Sequence, residues 1–254
     1  MSQPFLSVVV PAYNEFLRIG KSLEKIQRYL ASKDFASELI VVDDGSTDRT
    51  PELLREVAAS FPAMRVLRNE PNRGKGFSVR RGVLDARGEL ILFTDADLSA
   101  PIEDADKLLA AIKSSQADAA VGSRALERTL VGTHQPWFRE YAGRAFNLLV
   151  RLFTGLSIRD TQCGLKLFSR VSTRRAFELQ RGTGFGFDPE VLFLIERVGG
   201  KVVEVAVRWN DNPATKVRFL QDSAAMALDL VRLRWRAWTG QYSSLGTRRL
   251  GAGD

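Results

Sequence analysis

The chain contains a single cysteine and a single histidine among its 254 residues, which excludes several kinds of site. One cysteine cannot form an internal disulfide, and one of each residue cannot build a Cys/His zinc cluster or a multi-histidine metal centre. Any metal ion would therefore be bound by carboxylates. Cys163 is expected to be a packed small side chain and not a nucleophile, because no histidine is available to activate it.

Long apolar runs are also missing. No stretch approaches 18 consecutive apolar residues, and the start, MSQPFLSVVV, has no basic segment followed by a long apolar one. We therefore expect a cytoplasmic protein without a membrane-spanning helix. A length of 254 residues with 44% hydrophobic content favours one large α/β domain over two small ones.

Positive charge is unevenly distributed along the chain. The formal net charge is +7, with −2 in residues 1–127 and +9 in residues 128–254. Such a basic half needs an anionic partner, and the candidates are a nucleic acid, a phosphorylated substrate and an anionic membrane surface.

The first half alternates between strand and helix patterns. Apolar segments such as SVVVPAY, ELIVVDDGS, MRVLRN, ELILFTDAD and DAAVGSR are separated by helical patterns over about 16–32, 48–60, 74–87 and 101–114. This alternation predicts a mostly parallel sheet with helices on both faces, and the strands should end on the same side.

Two carboxylates, Asp95 and Asp97, directly follow the apolar run at 90–93, at the sheet edge where open α/β folds bind ligands. Two close carboxylates repel each other unless a cation neutralises them, and their hard oxygen atoms suit Mg²⁺ or Mn²⁺ that bridges to substrate phosphates. The alternative is a turn or a helix N-cap, which this short pattern also fits.

Residues 11–15 and 43–46 are predicted at the same edge. The loop 72–76, NRGKG, is a further candidate for ligand binding. The loop could bring backbone and a lysine close to phosphate, although it matches neither the Walker A spacing nor the GxGxxG fingerprint. An ordinary helix entry is the alternative.

These motifs, in this order and spacing, resemble those of the inverting glycosyltransferases of family 2, which have the GT-A nucleotide-sugar fold. The segments IRDTQCGLKLF, FGFDPEVL, VAVRWND, TKVRF and LRWRAWTGQY of the second half resemble the dolichyl-phosphate β-glucosyltransferase branch. The resemblance implies a single mixed, mostly parallel sheet flanked by helices in one domain over 1–240. Residues 1–127 would be the nucleotide-binding half and 128–240 the acceptor half, followed by a polar tail over 241–254.

The branch transfers a hexose from a nucleotide diphosphate sugar to a polyprenyl phosphate, which implies UDP-glucose as donor and Mg²⁺ or Mn²⁺ as cofactor. Asp97 would bind the metal, and Asp95 would contact the ribose or the metal. The other residues implied on the donor side are Pro11, Tyr13, Glu15, Asp43, Asp44, Lys75, Lys216 and Arg218.

On the acceptor side, the resemblance implies that Arg124 and Arg139 clamp the acceptor phosphate. It also implies that Asp160, Gln162 and Lys166 shape this side of the pocket. Asp188 lies where many family members place a catalytic base. An alcohol acceptor would need such a base, whereas an ionised phosphate needs positioning more than deprotonation. The alternative for Asp188 is a charge that complements a helix N-terminus.

Two segments, 138–153 and 230–238, combine apolar residues at helical spacing with arginines. Each is either a core helix or an interfacial helix that touches lipid, and the acceptor's long chain leads us to expect reversible peripheral binding at the cytoplasmic face of a membrane. A family 2 enzyme acting on a soluble or glycan alcohol is the rival hypothesis.

Nucleic-acid binding is disfavoured because acidic residues crowd the predicted site. An inactive binding module is disfavoured by the presence of Asp95, Asp97 and Lys75 together.

Overall fold

The computed structural model describes residues 3–132, 137–210 and 219–242, with backbone alone for a few of them. Seven strands are present in this part of the chain: β1 Leu6–Ala12, β2 Ser37–Asp43, β3 Met64–Arg68, β4 Leu90–Thr94, β5 Ala119–Ser123, β6 Leu165–Ser169 and β7 Val202–Ala206. The α-helices are α1 Ile19–Ala31, α2 Thr50–Ser60, α3 Lys75–Asp85, α4 Ala105–Ser115, α5 Trp137–Thr154, α6 Arg170–Leu179, α7 Phe187–Arg197 and α8 Phe219–Trp238.

The strands form one mixed sheet in the order β3-β2-β1-β4-β6-β5-β7. The pairs β1/β2, β2/β3, β1/β4 and β5/β7 are parallel, whereas β6 runs antiparallel to both β4 and β5. The predicted mixed, mostly parallel sheet is confirmed, and so are the four helices expected in the first half. The insertion of β6 between β4 and β5 was not predicted.

Helices cover both faces of the sheet because its central strands are apolar on both sides. On one face, Leu23 and Ile26 of α1, Leu54 of α2 and Leu108 of α4 pack onto the sheet. On the other face, side chains of α3, α6 and α7 fill a second core that includes Val79, Phe177 and Leu194. This doubly covered arrangement is expected where strands read as nearly continuous hydrophobic runs.

A third, smaller cluster joins α5 and α8 to the sheet through Val150, Leu192 and Leu230. Tyr242, two residues beyond the expected domain boundary at 240, is fully buried, so the packed part of the chain reaches at least this residue. Among the described residues, no helix is long and apolar enough to span a bilayer.

Candidate active site

The carboxyl ends of β1, β2 and β4 meet at one edge of the sheet. Parallel pairing places Ala12 beside Asp43 and Val9 beside Phe93. Asp95 follows β4 at this edge, and its backbone N–H donates to the carbonyl of Gly164, just before β6 (3.0 Å). The predicted convergence of the three strand ends is therefore observed.

Lys75 and Asp95 form an ion pair across this edge, with Nζ 2.7 Å from Oδ1. Lys75 is the first residue of α3 and follows Gly74, whose φ of 96° lies in the left-handed region that favours glycine. Burial disfavours the ammonium, but Asp95 and Asp188 outweigh that effect and hold the pKa of Lys75 above its ordinary value. The ammonium of Lys75 is thus favoured in its charged form at this edge of the sheet.

Asp97 sits in a tight turn after β4. Its Oδ1 accepts the backbone N–H of Ser99 (3.1 Å), which orients the carboxylate. Burial and the neighbouring Asp95 raise the pKa of Asp97, against the opposing charge of Arg18. A bound cation would favour the ionised form of this carboxylate.

The two carboxylates fit a divalent cation with mainly non-protein ligands. Among the described residues, no three His, Cys, Asp or Glu side chains form a cluster that could hold a metal alone. Mg²⁺ and Mn²⁺ accept one or two carboxylates and take the remaining ligands from phosphate oxygens and water. Asp97 would be the principal protein ligand, because the Oδ1 of Asp95 is engaged by Lys75.

The loop after β1 forms another wall of the edge. Tyr13 is 41% exposed, whereas Glu15 is buried and accepts two N–H groups from Arg18, one of them at 2.8 Å. The hydrogen bond with Glu15 and the charges of Asp97 and Asp95 raise the pKa of Arg18. Arg18 is thus a second cation near the carboxylates, which sequence analysis did not identify. Pro11 lies in β1 itself.

Asp43 and Asp44, expected at the nucleoside, are almost completely buried. Asp43 accepts the backbone N–H of Ser46 (3.0 Å) and pairs with Arg68. Asp44 accepts the backbone N–H of Gly74 (2.8 Å) and an amide N–H of Asn69 (2.7 Å). Both carboxylates therefore shape the loops around the pocket, and their contact with a nucleoside stays a prediction.

On the opposite side of the edge, Arg124 forms a bidentate ion pair with Asp160, with Nε and Nη2 at 2.7 and 2.9 Å from its two oxygens. The guanidinium lies over the ring of Trp209, 5.2 Å from its centroid. Burial opposes the charge, but Asp160 outweighs it and raises the pKa of Arg124. The Arg124 guanidinium is thus engaged by Asp160 and by Trp209, which sequence analysis did not predict. Its role as a clamp for the acceptor phosphate stays a prediction.

Three other predicted site residues have side chains outside the described part of the structure. The backbone of Arg139 lies in α5, but its side chain is outside the described part of the structure. Lys216 and Arg218 lie outside the described residues. Their predicted contacts with the acceptor phosphate and the pyrophosphate stay predictions.

Asp188 lies in the first turn of α7 and pairs with Lys166 of β6 (2.6 Å). Both side chains are buried. Burial raises the pKa of Asp188, against the opposing charge of Lys166. The carboxylate is thus engaged by a buried lysine, and its role as a catalytic base stays a prediction.

Glu190, two residues later, is also buried and engaged. It accepts the backbone N–H groups of Arg181 (3.1 Å) and Gly182 and the hydroxyl of Tyr242. The carbonyl of Gly182 would lie 2.8 Å from a Cβ on Gly76, beside Lys75. Glu190 therefore holds the segment that packs against the start of α3. The sequence shows Glu190 in the segment FDPEVL, but it does not predict the partners of this carboxylate.

Comparison with known proteins agrees with this architecture. The family model described as glycosyl transferase family 2 matches residues 7–177. The chain belongs to glycosyl transferase family 2. Within the family, it is 39% identical to the dolichyl-phosphate β-glucosyltransferase of Drosophila melanogaster, over 93% of this chain and 76% of that protein. The enzyme of the same name from Saccharomyces cerevisiae is 35% identical, over 94% and 76% of the two chains.

Solved structures show the same fold for this family 2 chain. Glucosyl-3-phosphoglycerate synthase from Mycobacterium tuberculosis, in complex with Mn²⁺, UDP and glucosyl-3-phosphoglycerate, superposes with a TM-score of 0.64 at 23% identity, covering 93% of this chain and 80% of that one. Mannosyl-3-phosphoglycerate synthase from Rubrobacter xylanophilus gives 0.67 at 17% identity, covering 99% and 78%. The expected GT-A fold is confirmed.

Proposed function

We propose that this family 2 glycosyltransferase transfers glucose from UDP-glucose to dolichyl phosphate or a related polyprenyl phosphate, with inversion at the anomeric carbon. The similarity to dolichyl-phosphate β-glucosyltransferases over more than nine tenths of the chain carries this proposal. Groups suited to its chemistry lie at the sheet edge: the carboxylates of Asp95 and Asp97, the half-buried Lys75 and the ion-paired Arg124.

On the donor side, Asp97 and Asp95 would hold a divalent cation, which would supply Lewis-acid stabilisation to the departing nucleoside diphosphate. Lys75, held by Asp95, adds a second positive charge on the same side. Because these charges are already in place before reaction, little reorganisation is needed when the leaving group gains charge. Lys216 and Arg218 complete this set in our proposal.

On the acceptor side, Arg124 and Arg139 orient the phosphate for in-line attack. A phosphate monoester is largely ionised at neutral pH, because its second pKa is about 6. It needs no general base, so positioning is the main task of the protein. The ion pair with Asp160 keeps the Arg124 guanidinium in one orientation.

The acceptor is a lipid, and the structure contains a surface suited to a bilayer. On α8, exposed Leu228, Val231, Trp235 and Trp238 recur at helical spacing, and on the adjacent α5 the side chains of Leu148, Leu149 and Leu152 are also exposed. We define these seven residues as the lipid-facing surface.

Positive charge accompanies the lipid-facing surface. Arg151 of α5 and Arg232 and Arg234 of α8 are exposed in the same two helices. Tryptophan and arginine beside exposed leucine are typical of helices that lie in the membrane interface, where arginines attract anionic headgroups. This surface supports the proposal of peripheral membrane binding, for which we propose the cytoplasmic leaflet.

The test is transfer of radiolabelled glucose from UDP-glucose to a short polyprenyl phosphate in detergent with Mg²⁺ or Mn²⁺, with GDP-mannose as the competing donor. We expect a metal-dependent, organic-extractable product that is lost in Asp97→Ala and strongly reduced in Arg139→Ala. Arg28→Ala, which changes an exposed arginine of α1, is the matched control. Donor hydrolysis without a lipid product would overturn the acceptor and favour a soluble alcohol.

A further inference from the structure

The buried ion pair between Lys166 and Asp188 lies beside the donor side of the site. Their relative exposures are 1% and 3%, and Nζ of Lys166 is 2.6 Å from Oδ1 of Asp188. The same ammonium donates to the carbonyl of Cys163 (2.6 Å). A buried ion pair is tolerated only when hydrogen bonds satisfy it, and it adds little stability over an apolar pair of similar volume. Its presence here points to a functional reason.

The ring of Phe93, at the end of β4, connects this pair to the site. Nζ of Lys166 and Nζ of Lys75 are each 5.5 Å from the ring centroid. Phe187, next to Asp188, packs edge-on against the same ring at 5.9 Å. The two lysines thus share one aromatic neighbour, and a displacement of α7 or β6 would shift Phe93 and with it Lys75.

The position of Asp188 argues against proton abstraction. Its Oδ1 is bonded to Lys166 and the residue is almost completely buried. A general base must lie within hydrogen-bonding reach of the proton that it removes. An ionised phosphate acceptor offers no such proton.

We propose that Lys166 and Asp188 are a pair of positioning residues, which lock the first turn of α7 against β6 and thereby hold Phe93, Lys75 and Asp95 in place for the donor diphosphate. This role rests on the proposed function, because it assumes that a phosphate acceptor makes a base unnecessary. Neither residue touches substrate in this assignment.

A double-mutant cycle tests the pair. Lys166→Met and Asp188→Asn each leave one buried charge unpaired, whereas the double variant leaves none. We expect each single variant to lower kcat/KM by about 10-fold or more, since small displacements of reacting groups can cost about 100-fold. The double variant should lose less than the product of the two single losses and stay within about 10-fold of wild type.

If Asp188 is a base, the double variant will be as inactive as Asp188→Asn, and both will lose the low-pH limb of the kcat profile. Either result, or single losses that simply multiply in the double variant, would overturn the proposal. If the single variants do not fold, the activity of the double variant relative to wild type decides between a positioning pair and a base.

Two further measurements separate this inference from the proposed function. Calorimetric binding of UDP with Mg²⁺ needs no acceptor, and the affinity should fall in the single variants and recover in the double variant even if lipid transfer is never observed. The Glu38–Arg65 pair, with a buried carboxylate and a half-buried guanidinium at the amino-terminal edge of β1 and β2, is the control. Glu38→Gln should change stability but leave UDP affinity and kcat unaltered.

Discussion

A Cβ atom on Gly164 would lie 2.0 Å from Oδ2 of Asp95 and 2.5 Å from its Cγ. The backbone before β6 therefore passes directly against the carboxylate that pairs with Lys75, and the Gly164 carbonyl also accepts the Asp95 N–H. The antiparallel strand β6 is thus part of the site wall, and a side chain at 164 would displace Asp95.

We predict that Gly164→Ala lowers kcat by about 10- to 100-fold, because Asp95 must move away from Lys75 and small misplacements in an active site are costly. Gly20→Ala, in α1, places its Cβ 3.6 Å from Leu53, an ordinary contact, and should leave activity at the wild-type value. Steady-state kinetics of both variants check this. Equal activity of Gly164→Ala and wild type would show that the position of Asp95 is not critical.

Asp97→Asn should abolish metal-dependent turnover without unfolding the protein. Burial and the charge of Asp95 raise the pKa of Asp97, so the ionised carboxylate costs stability in the metal-free protein. We expect an unchanged or higher Tm in EDTA, and a loss of the Tm increase that Mg²⁺ with UDP produces in wild type. A Tm that falls by several degrees in EDTA would contradict this role.

The Arg124–Asp160 pair should make the free energy of unfolding fall at low pH. Burial would raise the pKa of Asp160, but Arg124 outweighs it and holds that pKa below the ordinary 3.8. A carboxylate with a lowered folded-state pKa stabilises the fold above pH 3.8, and its contribution is lost as the pH falls through the folded-state pKa.

Asp160→Asn should therefore destabilise the protein by about 2 to 3 kcal/mol at pH 7, since it leaves Arg124 partly buried without its partner. The difference from wild type should shrink below pH 3.8. Urea midpoints at several pH values measure it. A difference that stays constant into acid would show that charge is not the cause.

Replacement of Trp235 and Trp238 by serine should weaken binding to anionic vesicles. The two rings contact each other at 5.8 Å and are 56% and 80% exposed. Because burial of a large apolar side chain contributes about 1.5 to 3 kcal/mol, the double variant should bind at least about 10-fold more weakly in vesicle sedimentation. Val171→Ser, an exposed apolar residue of α6, serves as the control. If wild type, the double tryptophan variant and Val171→Ser sediment equally with the vesicles, the lipid-facing surface does not bind lipid.

Much of the donor side was predictable because it depends on local patterns. Apolar strands followed by Asp43 and Asp95 place those residues at one sheet edge, since parallel strands joined by helices all end on the same side. The helix start that sequence analysis gave as the alternative interpretation of Asp188 is present in the structure. The partner of Asp188 was not predicted, because Lys166 lies on a strand whose neighbours depend on the order of the whole sheet.

The lipid-facing surface illustrates the same division. Sequence periodicity predicts a helix over 230–238, but its apolar residues recur on more than one face, so the pattern does not decide which of them are buried. In the fold, Leu230 and Leu233 are buried, whereas Trp235 and Trp238 remain exposed. The packing of α8 against α5 and α7 decides which residues are covered.

By itself, the sequence determined the alternation of strands and helices, the position of Asp95 and Asp97 after a strand, and membership of the family. These follow from periodicity and short motifs, which are local along the chain. The tertiary structure alone decided that Gly164 borders Asp95 and that Lys166 meets Asp188. Both contacts exist because β6 enters antiparallel beside β4, and the order of strands is set by the packing of the entire core, not by any one segment.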